Sequence, residues 1–316
     1  MIMEYELDVV NVCPICNRKE IWTLIKKYDD RFGQPDMFEY CYCKNCDVAF
    51  LKDKIQEQLF SKLYKKYYGK NDRSTAQGSR LKTLLSRVGL DKFAFQWLAG
   101  NKVLLDDVAD NARVLEVGSG YSPNLKKEIF SRKLQWTGLE VDEESVQNLK
   151  LDGLDVFHGT IKLNGIFDTY DYLISSQSLE HQYDINDFFE SSKKFLRNGG
   201  KIIFTTPNFN SRYREKYGEK WINWHAPYHV LLLSRKGIES LSKKHGFVIT
   251  KYLTYTPTSW FMLQSVFTIP EQGSVNENFN FNFSLLKQLI VSIFLKIFEF
   301  FSREDGDCIY CEIKLQ

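Results

Sequence analysis

The stretch Arg113-Val-Leu-Glu116-Val-Gly118-Ser-Gly120-Tyr-Ser122 decides how the chain is read. Val114–Val117 is an apolar run of strand length, and two glycines follow it at once. Glycine permits a tight turn and lets backbone approach a ligand closely. Gly-x-Gly recurs in many loops, so the context supplies the specificity. A strand precedes the loop, and Glu140 lies 20 residues after Gly120, at the end of a second apolar run. A carboxylate placed there can accept both hydroxyls of a ribose.

Outward from this stretch the pattern repeats. Apolar runs at Leu134–Glu140, Leu154–His158, Tyr172–Ser175, Lys201–Thr206 and Phe247–Tyr252 read as strands. Segments of helical periodicity lie between them, such as Asp187–Arg197, stopped by Asn198-Gly199-Gly200. Strands alternating with helices imply an α/β fold with a mainly parallel, doubly wound sheet. Texture divides the chain into residues 1–52, cysteine-rich; 53–110, helical; 111–256, the alternating core; 257–305, a polar aromatic loop and an apolar helix; and 306–316, a closing strand.

With 316 residues, 43% apolar and 26% charged, the chain can bury a large core, which excludes disorder, collagen and coiled coil. Lys plus Arg number 42 against 40 Asp plus Glu, so charge gives no general attraction to nucleic acid or acidic lipid. The first residues show no export signal, and seven cysteines are an odd count, so a reducing cytoplasm is expected rather than a disulfide framework.

Five of those cysteines precede residue 47. Cys13-Pro-Ile-Cys16 and Cys43-Lys-Asn-Cys46 are two CxxC knuckles, each able to set two thiolates on one tetrahedral Zn²⁺. Cys41 competes with Cys43, but only Cys43 gives a second knuckle of this spacing. Four thiolates leave no open position, so the ion expected in this zinc ribbon is structural. Cys308 and Cys311 sit three apart on an alternating strand, hence on opposite faces, and make poor ligands for one ion.

Charge also selects a cofactor. A dinucleotide fingerprint needs a third glycine where Pro123 stands, and no Walker lysine is present. Glu116 would repel a pyrophosphate but attract a cation or an amino group. S-adenosylmethionine carries a sulfonium and an amino group and no phosphate.

Ordered motifs now carry a resemblance. They are the cysteine ribbon followed by Ala49-Phe-Leu, then Tyr67-Tyr-Gly, Leu115-Glu-Val-Gly-Ser-Gly and Gly138-Leu-Glu140. Ser175-Ser-Gln-Ser-Leu-Glu-His181, Leu196-Arg-Asn-Gly-Gly-Lys, Thr206-Pro-Asn208 and Ala226-Pro-Tyr-His229 follow. The chain resembles class I S-adenosylmethionine-dependent methyltransferases, and more narrowly a bacterial group with a zinc-ribbon head. The resemblance implies a Rossmann-like sheet; beyond it, the residues themselves read as a helical cap insertion over 257–305 and a last strand over 306–316. It places Glu116, Gly118 and Gly120 around the methionine end of the cofactor, Glu140 on the ribose and Val141 against adenine. Thr160 and Ile161, after His158, would flank the adenine edge, and Ser176 would contribute backbone. Thr160 stands where the family usually shows an acid, and Ser122 replaces a frequent third glycine. The implied acceptor is a sugar, a sugar nucleotide or a related small molecule, methylated on oxygen.

Methyl transfer to a hydroxyl needs positioning and removal of a proton. His181, after the fourth strand, and His229, in Trp224-His-Ala-Pro-Tyr-His, are the candidate bases; each also has a purely structural reading, as a side chain fixing its loop. His225 is a weaker candidate, His245 reads as a helix-end cap, and Glu180 is expected to face solvent at a helix start. Lys62, Lys65, Lys66 and Lys70 read first as a solvated helix face, although Tyr64, Tyr67 and Tyr68 among them could touch RNA or a phosphorylated sugar. Residues 284–301 form a marginal 18-residue apolar stretch with Lys287, Lys296 and Glu299. It reads as a lid or packing helix, with Gln288, Ser292, Lys296 and Glu299 as a wet stripe, or as a peripheral contact with membrane or a lipid-linked substrate. Two rivals remain: an RNA methyltransferase gripping its substrate with the ribbon, and a non-catalytic binding protein. Balanced charge weighs against RNA, and nothing points to DNA. Intact Glu116, Gly118, Gly120 and Glu140 weigh against the second rival.

Overall fold

Val114, Leu115 and Val117 are buried on alternate faces of one strand, as a central strand of a parallel sheet requires. The computed structural model describes residues 5–67, 104–121, 125–163, 169–276, 285–300 and 304–316. Tyr68, the polar stretch 69–78 with Lys70, Ser122 and Pro123 lie outside the described residues.

The strands are β1 Leu7–Val9, β2 Trp22–Lys27, β3 Phe38–Cys43, β4 Val48–Leu51, β5 Asp53–Ile55, β6 Arg113–Val117, β7 Gln135–Glu140, β8 Asp155–His158, β9 Tyr170–Ser176, β10 Leu196–Pro207, β11 Leu231–Leu232, β12 Phe247–Tyr255 and β13 Cys308–Leu315. The helices are α1 Phe60–Lys66, α2 Leu125–Ser131, α3 Glu143–Leu151, α4 Ile185–Phe195, α5 Arg212–Tyr217, α6 Arg235–Lys244, α7 Thr258–Val266 and α8 Leu285–Phe300.

Seven strands form one sheet in the order β12-β13-β10-β9-β6-β7-β8. β6, β7, β8, β9 and β10 pair in parallel, while β13 runs antiparallel between β10 and β12. The fold is thus the expected Rossmann-like α/β sheet. Chain order reverses between β6 and β9, and open sheets of this kind bind ligands outside the carboxyl ends of their strands at such a point.

Helices form where caps and periodicity agree. In α4 the Asp184 side chain accepts the N–H groups of Asn186 and Asp187, satisfying donors the first turn leaves open. Ile185, Phe188, Phe189, Ser192 and Phe195 then share its buried face. Full burial of an apolar side chain of this size stabilises by about 1.5–3 kcal/mol. The same alternation puts Cys308 in the core on one side of the sheet and Cys311 in the core on the other.

A second sheet, β11-β4-β3-β2, joins the cysteine-rich head to the core. β11 comes from the core segment and pairs Leu231 with Phe50 and Leu232 with Ala49. The loop between β2 and β3 is clamped from the other side. The Tyr28 hydroxyl donates to the Pro270 carbonyl at 2.6 Å, and the Asn276 N–H to that of Arg31 at 2.9 Å.

The apolar helix α8 has 16 residues and packs on α7. Its wet stripe is corrected at Ser292, which is buried, while Ile290, Phe294 and Ile297 are 58–59% exposed. A serine hydroxyl is small and can bond a carbonyl of its own helix, so burying it costs little. Among the described residues no helix is long and apolar enough to cross a membrane.

Candidate active site

The glycine loop closes over the end of β7. Gly118 has φ +70°, and a Cβ added there would lie 2.2 Å from the Ser178 hydroxyl. Gly120 has φ +54° and nothing within 4 Å of where its Cβ would point. The first glycine is therefore needed for packing, and the second leaves space above the loop. Glu140 fixes that loop: its Oε2 accepts the Gly120 N–H at 2.7 Å, and its Oε1 those of Val141 and Asp142, both at 2.8 Å. A carboxylate offers about four acceptor positions. Three are used here, leaving one on Oε2 for a ligand hydroxyl.

Glu116 is buried and accepts the Trp136 indole N–H at 2.8 Å. Burial pushes its carboxyl up to about 7, against the pull of that hydrogen bond, and the neighbouring Glu140 adds to the rise. Both glutamates thus face inward, beside a turn with glycine at its first and third positions. The arrangement suits a cationic, phosphate-free nucleoside.

The flanking residues are distributed around the same edge. Val141 is 48% exposed, an apolar side chain left bare at the mouth of the loop. Its carbonyl lies 3.0 Å from His158 Nε2. Ile161 is buried, Thr160 is half-buried, and Ser176 ends β9 exposed, 3.4 Å from the Thr205 hydroxyl.

Ser178, which fills the space over Gly118, begins the turn that carries Glu180 and His181. Two sequence candidates meet here: the rings of His181 and His229 stand edge to face with centroids 4.8 Å apart. His181 Nδ1 lies 2.9 Å from the Tyr228 carbonyl, and His229 Nδ1 2.9 Å from the Asn223 carbonyl. A carbonyl only accepts, so each Nδ1 carries the proton and each Nε2 a lone pair. Burial pushes His181 down to about 4 and His229 well below its usual value, and the Arg31 charge adds to both shifts. His225 stacks near Tyr228 and is depressed in the same way.

Glu180 departs from expectation. It is 1% exposed rather than solvent-facing, because the turn directs it inward, where the Thr206 hydroxyl donates to Oε2 at 2.9 Å. Burial raises its carboxyl to about 8. His245 occupies the C-cap position of α6, but its side chain reaches across to α4, with Nδ1 2.6 Å from Glu190.

Several pocket residues escaped the sequence reading. The β2–β3 loop delivers Arg31, whose guanidinium donates to the Ile222 carbonyl, and Phe32, which packs on His225 and Tyr228. Asp29 accepts the N–H groups of Arg31, Phe32 and Gln34 and the Tyr228 hydroxyl. Tyr64 of α1 sets its hydroxyl 3.2 Å from His181 Nδ1. In the sequence these loop residues sit in a charged run, Lys26-Lys27-Tyr28-Asp29-Asp30-Arg31, which reads as an ordinary solvated loop and gave no signal.

Cys13, Cys16, Cys43 and Cys46 come together with all four sulfurs within 4.8 Å. Cys16 and Cys43 are 3.8 Å apart, the edge of a tetrahedron whose metal–sulfur bonds are ~2.3 Å. Asn17 and Asp47, each following a second cysteine, adopt φ +59° and +56°, and their N–H groups return to the carbonyls of Cys13 and Cys43. Two such turns aim thiols inward. Burial raises the Cys16 thiol, but the Arg18 N–H and the neighbouring cysteines outweigh it and bring the group down to about 7. Cys41 points elsewhere, with its sulfur 3.8 Å from Glu39. The donor set fits zinc.

A family model described as a methyltransferase domain matches residues 80–252, more than half of the chain. The chain belongs to that family and is an S-adenosylmethionine-dependent methyltransferase of class I. No curated protein matches it. Among solved structures, it is similar to a methyltransferase from Thermotoga maritima described as a possible histamine N-methyltransferase, at 14% identity over 75% of this chain and 96% of that one, TM-score 0.45. A putative sarcosine dimethylglycine methyltransferase from Galdieria sulphuraria matches at 13% identity over 72% and 87%, TM-score 0.45. A cyclopropane synthase from Mycobacterium tuberculosis matches at 13% over 71% and 84%, TM-score 0.44.

Proposed function

We propose that the acceptor is a sugar, a sugar nucleotide or a related small molecule, methylated on oxygen in the pocket of His181 and His229. One observation carries this reading. The turn that begins at Ser178, packed on Gly118, continues into Glu180 and His181, so the glycine loop and the histidine pair share one edge of the sheet. When bound there, S-adenosylmethionine supplies an already activated methyl group. Glu116, Gly118 and Gly120 hold its methionine end, Glu140 its ribose, Val141, Thr160 and Ile161 its adenine, and the backbone at Ser176 lines the approach.

The histidine pair deals with the acceptor proton. Both imidazoles are neutral with a lone pair on Nε2, and a placed base contributes roughly 10²–10⁴ in rate. The head, residues 1–52, binds a structural zinc through its four cysteines and holds the β2–β3 loop against the pocket. Residues 53–110 lead into the core, 111–256; 257–305 cap the site, and 306–316 complete the sheet. The exposed side chains of Ile290 and Ile297 support a peripheral contact with a lipid-linked acceptor. We place the enzyme in the cytoplasm. RNA is the poorer acceptor, since 42 Lys plus Arg against 40 Asp plus Glu give no general attraction to phosphates.

The test uses labelled S-adenosylmethionine with a panel of sugar nucleotides. His181→Ala and His229→Ala should each lower methyl transfer at least 100-fold and leave cofactor affinity within about twofold. Unchanged turnover in both variants removes them from the mechanism.

A further inference from the structure

Among the described residues, two groups bring three or more metal-ligating atoms together. One is the four-cysteine centre. The other is Glu180, His181 and His229, whose ligand atoms lie within 4.8 Å of one another. We propose that this second group binds a divalent transition-metal ion.

The supporting shell is the main support. A histidine that ligates a metal almost always donates its other ring N–H to a carbonyl or carboxylate, which fixes the tautomer and aims the lone pair. Both histidines do so, His181 to the Tyr228 carbonyl and His229 to the Asn223 carbonyl, each at 2.9 Å. Ligating carboxylates are likewise held by a hydrogen bond, and Thr206 holds Glu180 at 2.9 Å. The carbonyls come from the one stretch Asn223–His229, and Val230 N–H returns to the Glu180 carbonyl at 2.9 Å, so the two halves of the trio are tied by backbone as well. Metal–ligand bonds of about 2.0–2.2 Å require each side chain to close in by about 1 Å or less.

Two imidazoles and one carboxylate suit iron, zinc, cobalt or nickel better than magnesium or calcium, which prefer all-oxygen shells. The positive charge of Arg31 is met nearby by Asp30, 3.8 Å from its Nε. Three protein ligands leave coordination positions open. Glu180 and His229 are buried and His181 is the half-buried member of the trio.

The consequence for catalysis rests on the methyltransferase reading of this pocket; the metal site does not. A lone pair cannot hold an ion and take a proton at once. With the ion in place the imidazoles hold it, and the ion acidifies a coordinated acceptor hydroxyl. The O–H bond breaks and its proton passes to water. Vicinal oxygens, as in a sugar diol, would chelate best.

The probe is cobalt(II), added to full-length protein whose cysteine centre already holds zinc, with bound metal counted by mass spectrometry. Wild type should take up one cobalt without a thiolate charge-transfer band, and Glu180→Gln and His229→Ala should weaken that uptake at least tenfold. Wild type needs no variant to be decisive: cobalt uptake only with a thiolate band, or none at all, overturns the proposal. Equal uptake by wild type and both variants overturns it as well. Heat of S-adenosylmethionine binding, read on the same samples, reports separately on the methyltransferase reading.

Discussion

Two glycines two residues apart carry different duties. A methyl group at Gly118 would collide with Ser178 at 2.2 Å, in a backbone region that already costs an L-residue about 1–2 kcal/mol. Overpacking adds about 1–3 kcal/mol. Gly118→Ala should therefore lose about 3 kcal/mol or more of stability in a denaturant titration. Gly120→Ala meets no atom and should lose only about 1–2 kcal/mol, from backbone strain alone. Its effect should appear in cofactor affinity, weakened at least tenfold, because the side chain enters the space left for the ligand. Equal losses of stability would contradict this division of roles.

Glu116 makes a second prediction at the same scale. Its carboxyl sits at about 7, raised by burial, so near neutrality it is only partly ionised. A cation arriving beside it favours the charged form and lowers that value, which releases a proton. Reciprocally, affinity should rise as pH increases through about 7, until the cofactor's own amino group begins to lose its charge at ~7.7–8.0. Calorimetry at pH 6.5 keeps the cofactor's own amino group charged, below its ~7.7–8.0 range. Binding heats should there depend on the buffer's ionisation heat in wild type, and lose that dependence in Glu116→Gln. The placement of Gly118 and Gly120 in a turn after β6, and of Glu140 at the end of β7, was legible because each follows directly from an apolar run of strand length. The burial of Glu180 was not, because Thr206, which holds it, lies on a different strand.

At the scale of elements, the cysteine head is continuous with the pocket. Its sheet borrows β11 from the core, and its β2–β3 loop supplies Arg31 and Phe32 to the histidines. The two knuckles were readable from spacing, while these pairings join distant segments and leave no local pattern. Removing the proposed zinc, by chelation or by Cys43→Ser, should unfold the head and take the loop with it. Methyl transfer should fall at least tenfold and Tm by about 10 °C or more, at roughly 2–4 °C per kcal/mol. Cofactor binding should survive, since the glycine loop is held by Glu140 and Ser178 instead. A chelated protein with full activity and unchanged Tm would remove zinc from the architecture.

Across the whole molecule, the central sheet followed from alternation of strand and helix, because each pattern is set by burial on known faces. The orientation of α8 did not follow. A periodic sequence shows which residues share a face but not which face meets the protein, and here Ser292 is turned inward and Ile290, Phe294 and Ile297 outward. What unites the parts is one site at the reversal of strand order, with an inward-facing carboxylate holding an open glycine turn. Titration calorimetry of S-adenosylmethionine into wild type and Glu140→Gln tests it most directly. Wild type should bind one molecule per chain, and the variant, of nearly the same shape, should bind at least tenfold more weakly, a difference of about 1.4 kcal/mol or more. Absence of heat in wild type, or equal affinity in the two proteins, would contradict the account.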